Sequence, residues 1–275
     1  MKPILGSDVL IADESGEGSP SQLVLLISNN TGYKNLTTLI SRGYQEGQRQ
    51  GIPTIRLSWL EELNEGLIAL SGGRLGEIGI SLISGRRADA ETSLKRLMAI
   101  FPDRFYLELQ RTGRPDEEDY LHAAVDLADV FSCPLVATND VRFIAAEEYE
   151  AHEARVCIYE GRTLDDPRRE RRYSESQYIR SAEEMAELFF DIPEALENTL
   201  EIAKRCNLDL RLGEYFLPDY PIPDGMTMSD FFIEESRSGL LERLISLFDP
   251  SAPDFDAKQK VYQDRLNFEL DIESE

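Results

Sequence analysis

An α/β fold, either a barrel or an open doubly wound sheet, is predicted by three observations. Segments that read as buried strands and amphipathic helices alternate four times between Gln22 and Gly161. The helical connections are long enough for parallel crossovers. Polar residues gather where strands stop, as in PLVATND, Pro134 to Asp140, and such folds put their chemistry at strand carboxyl ends.

The first strand is QLVLLISN, rich in branched residues, followed by TGYKNLTTLISRGYQEG with Leu36, Leu39, Ile40 and Tyr44 at helical spacing. GLIALSGG reads as a second buried strand closed by Gly72 and Gly73, with GEIGISLI as a helix after it. ADAETSLKRLMAIFP is a helix stopped by Pro102, and RFYLELQRTG is the third strand. RPDEEDYLHAAVDLADVF is a long helix with Pro115 and acids in its first turn. PLVATND is the fourth strand, EEYEAHEARVCIYEG the fifth helix, and EALENTLEIAKRCN a helix ending near Asn207. The pattern then changes. LRLGEYFLPDYPIPDG carries proline and aromatics without helical period, and two helical stretches follow, MSDFFIEESRSGLLERLISLF and DAKQKVYQDRLNFELDI. A domain boundary is therefore expected near residue 208, dividing the chain into 1–207 and 208–275.

Composition narrows the function classes. The 275 residues are 41% apolar, enough for a substantial core, and no apolar run reaches the ~18 residues of a bilayer span. The acidic amino-terminal stretch lacks a cleavable signal, so a soluble, cytoplasmic chain without membrane contact is expected. With 29 basic against 52 acidic residues, a net of −23, most of the surface repels a nucleic-acid duplex. DDPRRERRY is the local exception: Arg168, Arg169, Arg171 and Arg172 read either as a loop neutralised by neighbouring acids or as a phosphate or docking patch. Cys133, Cys157 and Cys206 lie far apart, the pattern of reduced core thiols. With only His122 and His152, a zinc site of histidine and thiolate ligands is hard to assemble.

Strand ends supply the candidate residues. SGGRLGE lacks G-x-G-x-x-G spacing and a following Lys-Ser/Thr, so it reads as a tight strand-to-helix turn and not a phosphate loop. Glu108 and Gln110 alternate along FYLELQ and share one face, so Glu108 is either a functional buried carboxylate or a hydrogen-bonded structural one. His122 lies on the body of a helix, a packing or surface position. His152 is near enough in sequence to reach the Asp140 region, although structural hydrogen bonding is the plainer reading. In PDFDAK, Asp254 and Asp256 alternate like a magnesium pair, but Lys258 follows and the segment suits a helix start.

LISNNTGYKNLTTLIS, LNEGLIALSGGRLGE, FPDRFYLELQRTGRPDEEDYLHAAVDLA, PLVATNDVRFI and LGEYFLP, in this order, resemble the alpha subunits of bacterial replicative DNA polymerase III, the C-family polymerases. The resemblance covers nearly all of residues 1–250. It implies a PHP (polymerase-and-histidinol-phosphatase) domain, a distorted (βα)7 barrel lacking its first strands. A mainly helical connection toward the palm and thumb would follow. It also implies a fragment: the family's first metal-ligand motifs would precede Met1, and the magnesium-binding palm aspartates would lie beyond Glu275. No polymerase catalytic residue and no cofactor is therefore expected within this piece, with Mg2+ expected only for the parent palm.

In relatives whose PHP domain holds metal, a Gly-x-Glu motif corresponds to Gly6-Ser7-Asp8, a cysteine ligand to Gly73, a histidine to Thr112, and an Asp-x-His motif to Asp140-Val141-Arg142. Asp8 and Asp140 keep a carboxylate, whereas Gly73, Thr112 and Arg142 lose the ligand, and Arg111 adds a neighbouring positive charge. Divalent ions need several neutral or anionic donors converging within about 2.0–2.6 Å. The expectation is a buried Asp140–Arg142 pair in place of an ion. On this reading the domain is an inactive scaffold that holds the proofreading exonuclease (epsilon) subunit and braces the polymerase chain, meeting DNA only through that parent chain. The alternative is a metal-dependent phosphoesterase or 3'-5' exonuclease using Asp8, Glu108, Asp140 and His152.

Overall fold

The computed structural model describes residues 2–12, 18–215, 217 and 219–273. They fall into two compact units, Met1–Arg211 and Leu212–Glu275.

In the first unit, β1 (Gly6–Ala12) and β2 (Ser21–Ile27) pair antiparallel, from Gly6 opposite Leu26 to Ile11 opposite Ser21. α1 (Asn30–Gln45) begins at Asn29, whose side chain accepts the Gly32 N–H in an N-cap. A small hairpin, β3 (Gln48–Arg49) with β4 (Ile52–Pro53), leads to β5 (Ile55–Arg56), which runs parallel to the end of β1. Then come α2 (Leu57–Leu63), β6 (Leu67–Leu70), α3 (Glu77–Ile83), α4 (Arg87–Ile100) and β7 (Phe105–Gln110). α5 (Glu117–Phe131), β8 (Leu135–Thr138), α6 (Tyr149–Glu160), α7 (Ala182–Leu188) and α8 (Pro193–Arg205) complete the unit.

The main sheet has the order β5-β1-β2-β6-β7-β8. β6, β7 and β8 are parallel neighbours joined by helices, the crossover arrangement expected of an α/β chain. β1 and β2 depart from the expected parallel order. GSDVLIA forms a strand that the sequence reading passed over, and its connection to β2 is too short for a crossover, so the two pair antiparallel. β2 also meets β6 antiparallel.

Every residue of β6 and β7 is buried, as strands covered on both faces require. On one face Leu67, Ala69, Phe105, Leu107, Leu109, Leu135 and Ala137 join the main core with side chains of α1 to α5. On the other, Ile68, Leu70, Tyr106 and Val136 pack against Ile202 and Cys206 at the end of α8. Glu108 and Gln110 continue the Tyr106 side of β7, where that smaller apolar cluster gives way to polar groups. The cysteines Cys133, Cys157 and Cys206 are buried free thiols.

Two helix boundaries differ from expectation. α5 starts at Glu117, after Asp116 in a left-handed conformation (φ 62°), so Pro115 stands before the helix and not in its first turn. α8 ends at Arg205, where Cys206 leaves the helical region.

In the second unit, α9 (Met228–Leu247) is capped by Thr227, whose hydroxyl accepts the Asp230 N–H. α10 (Phe255–Glu273) follows a short connection. Asp254 of PDFDAK forms an i,i+4 ion pair with Lys258 at 2.8 Å, and the Lys258 ammonium lies 4.9 Å from the Phe248 ring centre. Phe216 and Pro218 of the LGEYFLP block lie outside the described residues. Among the described residues, no helix is long and apolar enough to cross a membrane.

Candidate functional site at the carboxyl ends of β7 and β8

β7 and β8 run in register, with Glu108 opposite Val136 and Gln110 opposite Thr138, so their carboxyl ends lie side by side. Glu108 Oε1 accepts from Thr138 Oγ1 at 2.5 Å and from Gln110 Nε2 at 3.2 Å. Its Oε2 is buried without a hydrogen-bond partner among the described residues. Burial pushes the Glu108 carboxyl up to about 6, against the opposing pull of those two hydrogen bonds, and the charges of Asp8 and Asp140 add to the rise.

Beyond β7 the chain turns through Arg111 to Asp116 into α5, and this turn carries the central cation. Arg114 donates from Nη2 to Gln110 Oε1 at 2.8 Å, from Nη1 to Asp140 Oδ2 at 2.7 Å, and from Nε to Glu117 Oε1 at 3.0 Å. Its side chain is 7% exposed and that of Glu117 is 3%. Glu117 also accepts from the Thr112 N–H at 2.6 Å and the Thr112 hydroxyl at 2.5 Å. Burial works to raise the Glu117 carboxyl, but the bonds from Thr112 and Arg114 outweigh it and hold it below its ordinary value.

Asp140 follows β8 at φ 41°, a left-handed conformation that non-glycine residues adopt only when their surroundings hold them there. Here three partners hold it. Oδ1 is ion-paired with Arg142 Nη2 at 2.7 Å, and Oδ2 accepts from Arg114 and from Gln177 Nε2 at 2.9 Å. Gln177 also donates to the Asp140 carbonyl, and its own carbonyl accepts the Arg142 N–H at 2.8 Å. Asn139 ties the same segment down by donating to the carbonyls of Ser176 and Tyr178. The Ser174 hydroxyl donates to the Thr112 carbonyl, so a strap of residues 174–180 binds both strand ends.

The remaining candidates sit as follows. Asp8, exposed on β1, is within electrostatic range of Arg142 and Asp140; lost hydration raises its pKa, Arg142 opposes and Asp140 adds. Gly73 has φ 56°, and a Cβ there would stand 3.2 Å from Gln110 Oε1. Arg111 does not line the pocket. It turns toward α7 and α8, donating to the Leu188 carbonyl and to both oxygens of Asp191 at 2.6 and 2.9 Å, with Glu118 at 3.1 Å. His152 is buried on α6 between Tyr173, 4.7 Å away edge-on, and Phe143 at 5.5 Å, with no hydrogen bond to Asp140. Burial lowers its pKa below the usual imidazole value. His122 is exposed on α5.

The arginine cluster is divided. Arg169 is buried in an ion pair with Glu153, whereas Arg168 pairs with Asp166 at the surface and Arg172 with Glu160 and Glu170. The sequence reading missed Arg114, Glu117 and Gln177. Its signal was present in RTGRPDEE, where Arg114 lies three residues before a glutamate at a helix start, but only tertiary structure brings Gln177 to Asp140.

A divalent ion demands several free anionic or neutral donors on one centre. Gly73 brings none, the Thr112 hydroxyl is committed to Glu117, and both Asp140 oxygens are taken by guanidinium and amide donors. Among the described residues, no three His, Cys, Asp or Glu side chains are grouped to hold a metal. The described residues of this site, committed in this way, do not fit a metal centre.

Residues 1–112 match the family model described as the PHP domain. The chain is 58% identical over 273 residues to DNA polymerase III subunit alpha of Pseudomonas fluorescens, covering 99% of this chain and 23% of that protein. Against the subunit of the same name from Pseudomonas aeruginosa it is 58% identical over 272 residues, and against that of Escherichia coli strain K12 it is 52% identical over 272 residues, with the same coverage. The chain thus spans under a quarter of the length of these curated relatives.

Proposed function

We propose that the chain belongs to the DNA polymerase III alpha-subunit family, carries in residues 1–112 its PHP domain, and is the metal-free scaffold portion of a cytoplasmic replicative DNA polymerase. In this reading the parent chain performs DNA-templated DNA synthesis with Mg2+ held elsewhere in its length. The piece described braces that chain and docks the proofreading exonuclease subunit.

One observation carries the scaffold assignment: Asp140 is ion-paired on both carboxylate oxygens with guanidinium groups, Arg142 and Arg114, each at 2.7 Å. A bidentate or paired guanidinium satisfies a carboxylate with fixed geometry and a permanent charge. Arg114 further joins Asp140 to Gln110 and Glu117, so the turn after β7, the end of β8 and the start of α5 are locked by one cation. Such a knot supports a rigid platform and leaves no open coordination position for a hydrolytic water. A phosphoesterase built from Asp8, Glu108, Asp140 and His152 has less support, because His152 is enclosed by Tyr173 and Phe143.

The test is metal content after exhaustive dialysis, with hydrolysis of p-nitrophenyl phosphate measured on the same sample. No stoichiometric zinc or manganese and no hydrolysis is the expected result. Retained metal with phosphatase activity would replace the scaffold by the phosphoesterase. Co-purification of the exonuclease subunit with the chain tests the docking role separately.

A further inference from the structure

Beside α6 lies a cleft of about 710 Å³ that shares only Arg142 with the Asp140 knot. Its charge can be resolved residue by residue. Arg142 is committed to Asp140, and Arg172 to Glu160 and Glu170. Arg155 is exposed and forms no ion pair with any described residue. The cleft therefore offers one uncommitted cation. Beside it stand two large apolar side chains almost wholly open to solvent, Ile158 at 80% and Tyr159 at 92%, with Val141 also exposed. The inner wall is already formed, since His152 is fixed edge-on against Tyr173 and the Arg142 guanidinium lies 5.4 Å from the Tyr173 ring centre.

We propose that this cleft docks a protein segment presenting one carboxylate between apolar side chains, the carboxylate pairing with Arg155 and the apolar groups covering Ile158 and Tyr159. Charge complementarity selects this occupant. A polynucleotide strand needs a run of uncommitted cations along its phosphates, whereas Arg168, Arg169 and Arg172 of the neighbouring loop are engaged by Asp166, Glu153, Glu160 and Glu170. A free phosphate would leave Ile158 and Tyr159 in water, whereas a peptide buries them. Exposed aromatic and aliphatic side chains around an arginine are the composition of binding hot spots. On a chain of net charge −23, an uncovered cation in the cleft also orients an acidic partner locally while much of the surface repels it. The inference does not depend on which subunit supplies the segment, and it would survive the finding of a metal at Asp140.

Fluorescence anisotropy on the 275-residue chain tests it with a labelled nonapeptide, an aspartate flanked on each side by leucine and phenylalanine. A second peptide carries lysine at the centre, and a thymidine oligonucleotide serves as competitor. The aspartate peptide should bind. Arg155→Glu should weaken it by about tenfold and strengthen the lysine peptide, a reversal that general stickiness does not produce. Tyr159→Ser, at an exposed position, should weaken both peptides with an unchanged circular-dichroism melt. No binding, binding indifferent to the central residue, or displacement by the oligonucleotide at lower concentration than by unlabelled aspartate peptide would each overturn the proposal.

Discussion

Glu108 and Glu117 are both buried carboxylates near the carboxyl end of β7, yet their surroundings treat them oppositely. Glu117, in the turn entering α5, receives the Thr112 N–H and hydroxyl, the Arg114 N–H and the Arg114 guanidinium. Glu108, on the strand itself, receives two hydrogen bonds on one oxygen and none on the other. The first carboxyl is held below its ordinary value and the second is pushed up to about 6. Burial is the largest influence on both, so the difference lies in the donors: depth alone does not decide whether a carboxylate stays charged. Thr112 and Arg114 are the donors that separate the two, and Arg114 is the charged one: it reaches Glu117 and Asp140 but stops at Gln110, one residue short of Glu108 itself.

Removing that donor should have the largest effect. Arg114→Ala leaves Asp140 and Glu117 as buried carboxylates with one cation fewer between them, and breaking a buried pair from one side costs about 3–5 kcal/mol. Urea unfolding at neutral pH measures it through the midpoint at constant slope. A loss below about 1 kcal/mol would mean that water replaces the guanidinium and that the knot is less buried than its 7% exposure implies.

Stability against pH sharpens the comparison at a scale of about 2 kcal/mol. Glu108 has a folded value of about 6 against an ordinary 4.5, so the folded state holds the proton more tightly. Its contribution is present below pH 4.5 and is lost as pH rises through 6, a fall of about 2 kcal/mol at 1.36 kcal/mol per unit. Glu117, whose value is depressed, contributes stability above 4.5 that is lost as pH falls through its folded value. Glu108→Gln should therefore remove a downward slope between pH 4.5 and 6, and Glu117→Gln an upward slope on the acid side. Unfolding curves taken across pH 3 to 7 separate the two, and slopes of the same sign in both variants would refute the distinction.

Gly73→Ala should cost about 1–2 kcal/mol, because φ 56° disfavours a side chain and the new Cβ would press on Gln110 Oε1 at 3.2 Å. A thermal melt reads this directly, and an unchanged midpoint would show that Gln110 moves freely.

How much of this was legible beforehand depends on how local each signal is. The strands QLVLLI, LIAL, FYLELQ and LVAT stand out by their branched and aromatic runs, and α1, α4, α5 and α8 by apolar spacing. β1 was obscured because GSDVLIA exposes alternate residues and lies in an acidic, short amino-terminal stretch. The Asp140–Arg142 pair could be anticipated from two positions at a strand end, but the expected burial fails: Arg142 lies exposed, and it is Arg114 that is enclosed. Arg114 could not be separated from Arg111 by sequence: both precede α5, and the turn through Gly113 (φ 77°) lies between the one that points inward and the one that reaches Asp191. Arg169 looked like its solvated neighbours because Glu153, its partner, comes from a helix distant in the chain.

The smallest effect is expected at the residue the sequence made most conspicuous. Arg142 is about one-third exposed, and without it Asp140 keeps Arg114 on Oδ2 and Gln177 on both Oδ2 and the carbonyl. Arg142→His should thus cost below about 1 kcal/mol, the range of a partly exposed pair. It should also fail to create a zinc site, since the imidazole would face an Asp140 still engaged by Arg114 while Gly73 and Thr112 supply no further free donor. Isothermal titration of the variant with zinc decides the matter: sub-micromolar binding would mean that Arg142 alone kept the ion out, and that Arg114 yields Asp140 more readily than its three bonds suggest.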